Sequence, residues 1–188
     1  GYWFPGKIND GGAGGGFEPL ANGYTWLGQK QKRGSWYYGC EMDLGYCGFL
    51  RAACTILADD PVFGLTVYGG TLRSVSGIVL VFPNDGLRRR FHILRGNQRF
   101  HLEIRYDRFA ENKPISISAS LDDISFYVEN VDNVPHETTL LLSGLPEAKY
   151  QILIDGTNVI SFEENNAMVH NFKLSISRPT HKIEIKKS

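Results

Sequence analysis

From Val62 to the C-terminus, apolar and polar positions alternate with a period of two. Phe100, Leu102, Ile104 and Tyr106 alternate with His101, Glu103, Arg105 and Asp107; Ile115 and Ile117 alternate with serines; Ile124, Phe126 and Val128 alternate with Ser125, Tyr127 and Glu129. A strand sends successive side chains to opposite faces, so these runs predict half-buried β-strands. Further runs span Ile78–Phe82, Leu87–Leu94, Thr138–Leu142, Tyr150–Ile154, Met168–Ile176 and Lys182–Ile185. Turn residues separate them at Pro83-Asn84-Asp85-Gly86, Arg95-Gly96-Asn97, Gly144-Leu145-Pro146 and Asp155-Gly156. Short strands at regular intervals predict an antiparallel β-sandwich over 62–188, with no evident internal repeat.

Ahead of that region the pattern changes. Between Glu41 and Ala58, Met42, Tyr46, Phe49, Leu50, Ala53, Ile56 and Leu57 recur at intervals of three and four, which predicts an amphipathic helix ending at Asp59-Asp60-Pro61. Its other faces are not polar: Gly45, Gly48 and Ala52 form a small-residue stripe, and Cys40, Cys47 and Cys54 form another. A helix that is apolar nearly all round must be buried, yet no second helix of comparable strength follows. A neighbour outside this chain is therefore expected to cover it. Residues 1–34 hold ten glycines and two prolines and carry neither period, so they read as one long loop. Loops of that length within compact domains usually serve a function. The division predicted is 1–61, loop and helix, and 62–188, sandwich.

Composition narrows the possibilities. No run approaches the ~20 apolar residues of a membrane span, and twenty basic side chains balance twenty acidic ones. That balance lacks the electrostatic footprint of a nucleic-acid binder. Leu87 to Arg108 does hold seven arginines and only two acids, but they alternate with apolar residues and read as the outer face of two strands that clamps acidic loops. The cysteines, seven apart on a helix, sit about 10 Å from one another, beyond disulfide reach. They read as small buried hydrophobes, and none has a His or second Cys at metal-ligand spacing. The histidines, His92, His101, His136, His170 and His181, show neither ligand spacing nor a paired nucleophile. Asp85 and Asp122-Asp123 offer oxygens for a calcium ion, though loop solvation accounts for them better; no cofactor or metal is expected.

Two phosphate-loop patterns fail on inspection. Gly1-Tyr2-Trp3-Phe4-Pro5-Gly6-Lys7 has P-loop spacing, but Ile8 replaces the magnesium-binding Ser or Thr. In Gly11–Gly16, Phe17 stands where a dinucleotide fingerprint needs its third glycine. The chain also begins without Met or a signal-like apolar stretch, as if cut from something longer.

Asn9-Asp10-Gly11-Gly12-Ala13-Gly14-Gly15-Gly16-Phe17-Glu18, Gly34-Ser35-Trp36-Tyr37-Tyr38, Asp59-Asp60-Pro61-Val62-Phe63-Gly64 and Gly144-Leu145-Pro146, followed by Tyr150 and Asp155-Gly156, carry a resemblance. Their order resembles the C-terminal region of secreted carbohydrate-active enzymes, glycoside hydrolases or polysaccharide lyases, in which an (α/α)6 toroid ends in a glycine-rich loop and a small-residue helix before a β-sandwich. It is most similar to a family of secreted microbial proteins with that layout. The resemblance implies a secreted or cell-surface location, a poly- or oligosaccharide substrate and a helical toroid as the remainder of the protein. It also implies glycoside hydrolysis by paired carboxylates, with Asp10 and Glu18 as the candidates, since their glycine-rich surroundings leave room for a sugar. Trp3, Trp26, Trp36 and Tyr37 would stack on sugar faces, although packing against the toroid explains them nearly as well. Glu41 and Asp43 instead suit a helix start, where carboxylates complement the dipole. The rival expectation is a non-catalytic β-sandwich that binds carbohydrate or another protein.

Overall fold

The computed structural model of the chain describes residues 54–60, 64–165 and 168–188. These residues form fourteen strands and no helix: β1 Thr55–Asp60, β2 Gly64–Tyr68, β3 Gly70–Val75, β4 Ile78–Pro83, β5 Arg90–Arg95, β6 Gln98–Ile104, β7 Arg108–Phe109, β8 Ile115–Ser118, β9 Asp123–Glu129, β10 His136–Ser143, β11 Ala148–Ile154, β12 Thr157–Glu164, β13 His170–Ile176 and β14 Thr180–Lys187. One sheet has six strands in the order β13, β10, β6, β5, β1, β2. The other runs β12, β11, β14, β9, β8, β4, β3, with β7 pairing alongside β9.

The expected alternation is realised in β6 and β9, where Phe100, Leu102, Ile104, Ile124, Phe126 and Val128 are all buried. Side chains of both sheets meet in one core, with Phe91, Ile93, Phe100 and Leu102 from the first and Val81, Ile115, Phe126, Tyr150 and Ile183 from the second. Phe109 meets Phe126 edge-on at 5.5 Å, and Phe91 meets Phe100 likewise at 6.3 Å. Such edge-on pairs add to the stabilisation from burial. The Tyr150 hydroxyl donates to the Pro146 carbonyl at 3.0 Å, which satisfies the polar end of an otherwise buried ring.

One expectation needs correction. Thr55–Ala58, assigned to the end of the helix, is strand, and it joins the six-stranded sheet between β2 and β5. The reason lies in its burial: Leu57 enters the main core at 1% exposure while Ile56 is 3% exposed among Cys54, Ala58 and Tyr68. A strand covered on both faces reads as a continuous apolar run, without the contrast that marks a strand. Among the described residues every pairing within 62–188 is antiparallel, as expected; the parallel pairing of β1 with β5, with Ile56 beside His92 and Leu57 beside Ile93, comes from the strand expected to be helix. Residues 41–53 of the expected helix, the glycine-rich loop, and the candidates Asp10, Glu18, Trp3, Trp26, Trp36 and Tyr37 lie outside the described residues.

Candidate functional site

The chain crosses between the sheets after β4, and the crossing loop is built around Asp85. One Asp85 carboxylate oxygen accepts the Leu87 and Arg88 N–H groups at 2.9 and 2.6 Å, and the other lies 2.8 Å from the Thr55 hydroxyl. That hydroxyl is also 3.0 Å from the Gly69 carbonyl, and its single proton serves only one of the two acceptors. Burial raises the Asp85 pKa, opposed by the Arg88 and Leu87 N–H groups, the Thr55 hydroxyl and the Arg88 charge. This buried cap holds Arg88 at φ 52°, a left-handed conformation costly for any residue but glycine.

Held this way, Arg88 meets the acidic side chains of neighbouring strands. Its Nη2 donates to Glu129 Oε2 at 3.2 Å, while Arg108 donates to Glu129 Oε1 at 2.7 Å through Nη2 and 3.2 Å through Nε. Burial pulls the Glu129 carboxyl upward, but the bonds and charge of Arg108, the Arg88 charge and the Glu111 N–H outweigh it and hold it below the usual range. Arg88 Nη1 is buried with no hydrogen-bond partner. Glu111 Oε2 stands 3.8 Å from it, near enough to attract but too far to bond.

Beside this group lies a cleft of about 570 Å³ lined by Thr71, Phe82, Pro83, Asn84, Gly86, Arg88, Glu111 and Asn112. Apart from Arg88 its polar lining is exposed, and Glu111 is 74% exposed at its side chain. Arg73 lies over the Phe82 ring at 5.3 Å. The cleft thus offers donors, acceptors and a small apolar surface together, the mixture that binds small polar molecules. Of these residues the sequence marked the Pro83–Gly86 turn and the basic run; nothing in it joined them to Thr71, Glu111 or Asn112.

The basic run pairs mainly with acids carried on strands, not on loops as expected, and Arg88 is largely buried rather than outward. Arg90 pairs with Glu103 at 3.6 Å and Arg95 with Asp59 at 3.1 Å, while Arg89 and Arg99 donate to backbone carbonyls. The histidines, unpaired in sequence, are paired in space. His181 accepts the Ser177 and Arg178 N–H groups on Nε2, both at 2.9 Å, and donates from Nδ1 to Asp155 at 2.8 Å. Its Nε2 is therefore occupied and cannot act as a general base. His170 bonds to the buried Glu164 at 3.0 Å. Cys54 is equally unsuited to attack, since burial first, then the Asp85 charge, raise its thiol to about 11 against a smaller opposing effect of Arg90. Among the described residues no group of three or more His, Cys, Asp or Glu is arranged around a metal site.

His136 gives a pH prediction. Its Nδ1 faces the Val134 carbonyl and its Nε2 faces buried Asp107, each at 2.9 Å, so the ring fits best with both protons. The Val134 bond raises its pKa; burial opposes this, and the Asp107 bond and the Asp107 and Asp132 charges add to the rise. A raised pKa contributes stability that is full below the ordinary 6.5 and is lost as pH rises through the folded value. In urea melts, the stability advantage of wild type over His136→Gln should therefore shrink as pH climbs from below that range to above it. An advantage that grows with pH contradicts the assignment. His92 works in the other direction: burial chiefly lowers it to about 4, so its contribution falls as pH drops from 6.5 toward that value.

Comparison with family models, with curated proteins and with solved structures gives no match to this chain.

Proposed function

We propose that the described region is a carbohydrate-binding β-sandwich module of a glycan-processing protein, and that the Arg88 cleft is its sugar site. The observation that carries this is the mixed polar and apolar lining of the cleft, with Arg88 at its base. Asn84, Asn112 and Thr71 each donate and accept, Glu111 accepts, and Phe82 with Pro83 supplies apolar surface. A sugar presents the complementary set, hydroxyls that do both and C–H faces that pack on apolar groups. Charge favours a neutral ligand: Glu129 and Glu111 balance Arg88 and Arg108, so a phosphate or polyanion meets no uncompensated positive field from this group.

The described region supports binding rather than turnover, since His181, His136 and Cys54 all have their reactive atoms committed or suppressed. Catalysis by Asp10 and Glu18, with Trp3, Trp26, Trp36 and Tyr37 as sugar platforms, is the part of this proposal that belongs to the segment before Cys54. The resemblance to secreted toroid-and-sandwich enzymes supports it, as does the glycine-rich setting of the two carboxylates.

Calorimetry of the intact chain against a panel of neutral oligosaccharides tests the binding reading. At least one sugar should bind, and Glu111→Ala and Asn84→Ala, both at exposed positions, should each weaken it roughly tenfold, the cost of one hydrogen bond in a polar site. Affinities unchanged in both variants, or no binding at millimolar sugar, would overturn it.

A further inference from the structure

We infer that the outer face of the β5–β6 hairpin binds one divalent transition-metal ion, Zn2+ or Cu2+, between Nδ1 of His92 and Nδ1 of His101. The inference stands apart from the sugar site and rests on different residues. The Gly96-Asn97 turn sets His92 directly opposite His101 across the two strands. Their rings lie 4.7 Å apart between centroids, tilted by 31°, with the Nδ1 atoms 3.3 Å from each other. Two imidazole nitrogens bound to one tetrahedral zinc, each about 2.0–2.1 Å from it, are themselves about 3.3–3.4 Å apart. The spacing therefore matches the bite of the ion, which takes the place of the hydrogen bond between the two Nδ1 atoms as His92 shifts its proton from Nδ1 to Nε2.

The surroundings favour the ligating form. Each imidazole must be neutral to bind a metal, and burial lowers the pKa of both, aided at His92 by the His101 and Arg90 charges and opposed at His101 by Glu103. Glu103 Oε2 lies 3.5 Å from His101 Nε2, the nitrogen on the far side of the ring. A carboxylate there holds the proton on Nε2 and leaves Nδ1 for the metal, the usual outer-shell support of a metal-binding histidine. Imidazole nitrogens suit zinc, copper and nickel rather than calcium or magnesium. With two protein ligands, water completes the coordination and the ion exchanges.

The test is a Zn2+ titration of the intact chain followed by histidine ring 15N resonances. The His92 and His101 Nδ1 signals should move together while those of His136 and His181 stay, because both ring nitrogens of each are already occupied. By calorimetry, His92→Gln and His101→Gln should each weaken Zn2+ binding at least tenfold, and Glu103→Gln roughly tenfold. Circular dichroism checks that each variant folds, and the wild-type resonances decide the matter if one does not. Zn2+ affinity unchanged in both histidine variants, ring shifts confined to other histidines, or no binding at millimolar Zn2+ would overturn the inference.

Discussion

Gly144→Ala is expected to lower the unfolding free energy by about 4 kcal/mol, combining left-handed strain with overpacking. Gly144 follows β10 at φ 80°, where the chain turns from one sheet to the other, and a Cβ there would meet the Arg99 carbonyl oxygen at 1.8 Å. That neighbour is backbone of β6 and cannot swing aside as a side chain would. The strands must separate, and because Ser143 pairs with His101, the displacement reaches the histidine pair as well. Gly156→Ala is the control. Gly156 sits at φ 85° with nothing within 4 Å of its added Cβ, so it should cost only the conformational part, about 1 kcal/mol. Urea unfolding of the two variants measures the difference, and equal costs would show that the β6–β10 approach is looser than described.

Asp85→Ala should cost about 3 kcal/mol, because it strips partners from buried donors. The Leu87 and Arg88 N–H groups lose their acceptor, and Arg88 loses what holds it in a left-handed conformation. Sugar binding should fall with stability, since the cleft depends on that placement. Asp85→Asn separates shape from charge. Its amide oxygen still accepts the two N–H groups, and its NH2 can donate to Thr55, whose own proton then goes to Gly69. Desolvation already opposes the Asp85 charge, so the Asn variant should stay within about 1 kcal/mol of wild type. A loss in Asn as large as in Ala would mean that the negative charge, rather than the hydrogen-bond pattern, holds the loop.

The alternation in β6, β8, β9 and β11 made the sandwich legible, because one face of each is buried and the other is not. Where that contrast fails, so does the reading. β1 is apolar on both sides and passed for the end of a helix. β12 failed for the opposite reason: as an edge strand with most of its residues exposed or half-buried, Thr157–Glu164 turns only Ile160 and Phe162 toward the core, too short an apolar alternation to mark it. The site was harder still. Arg88 was visible as one arginine among seven, but its left-handed backbone and its alignment with Glu111 and Glu129 come from three separate crossings of the chain. The His92–His101 pair was closer to legible, because a two-residue turn at Gly96-Asn97 sets those positions opposite each other, and recognising the hairpin register would have found it.

The most direct test of the account is to map sugar binding on the intact, 15N-labelled chain. With the tightest-binding neutral oligosaccharide, amide shifts should concentrate at Thr71, Asn84, Gly86, Arg88, Glu111 and Asn112, and Glu111→Ala should shift the titration to higher sugar concentration. Shifts gathered on another face, or spectra indifferent to every sugar tried, would contradict a carbohydrate site at the Arg88 cleft.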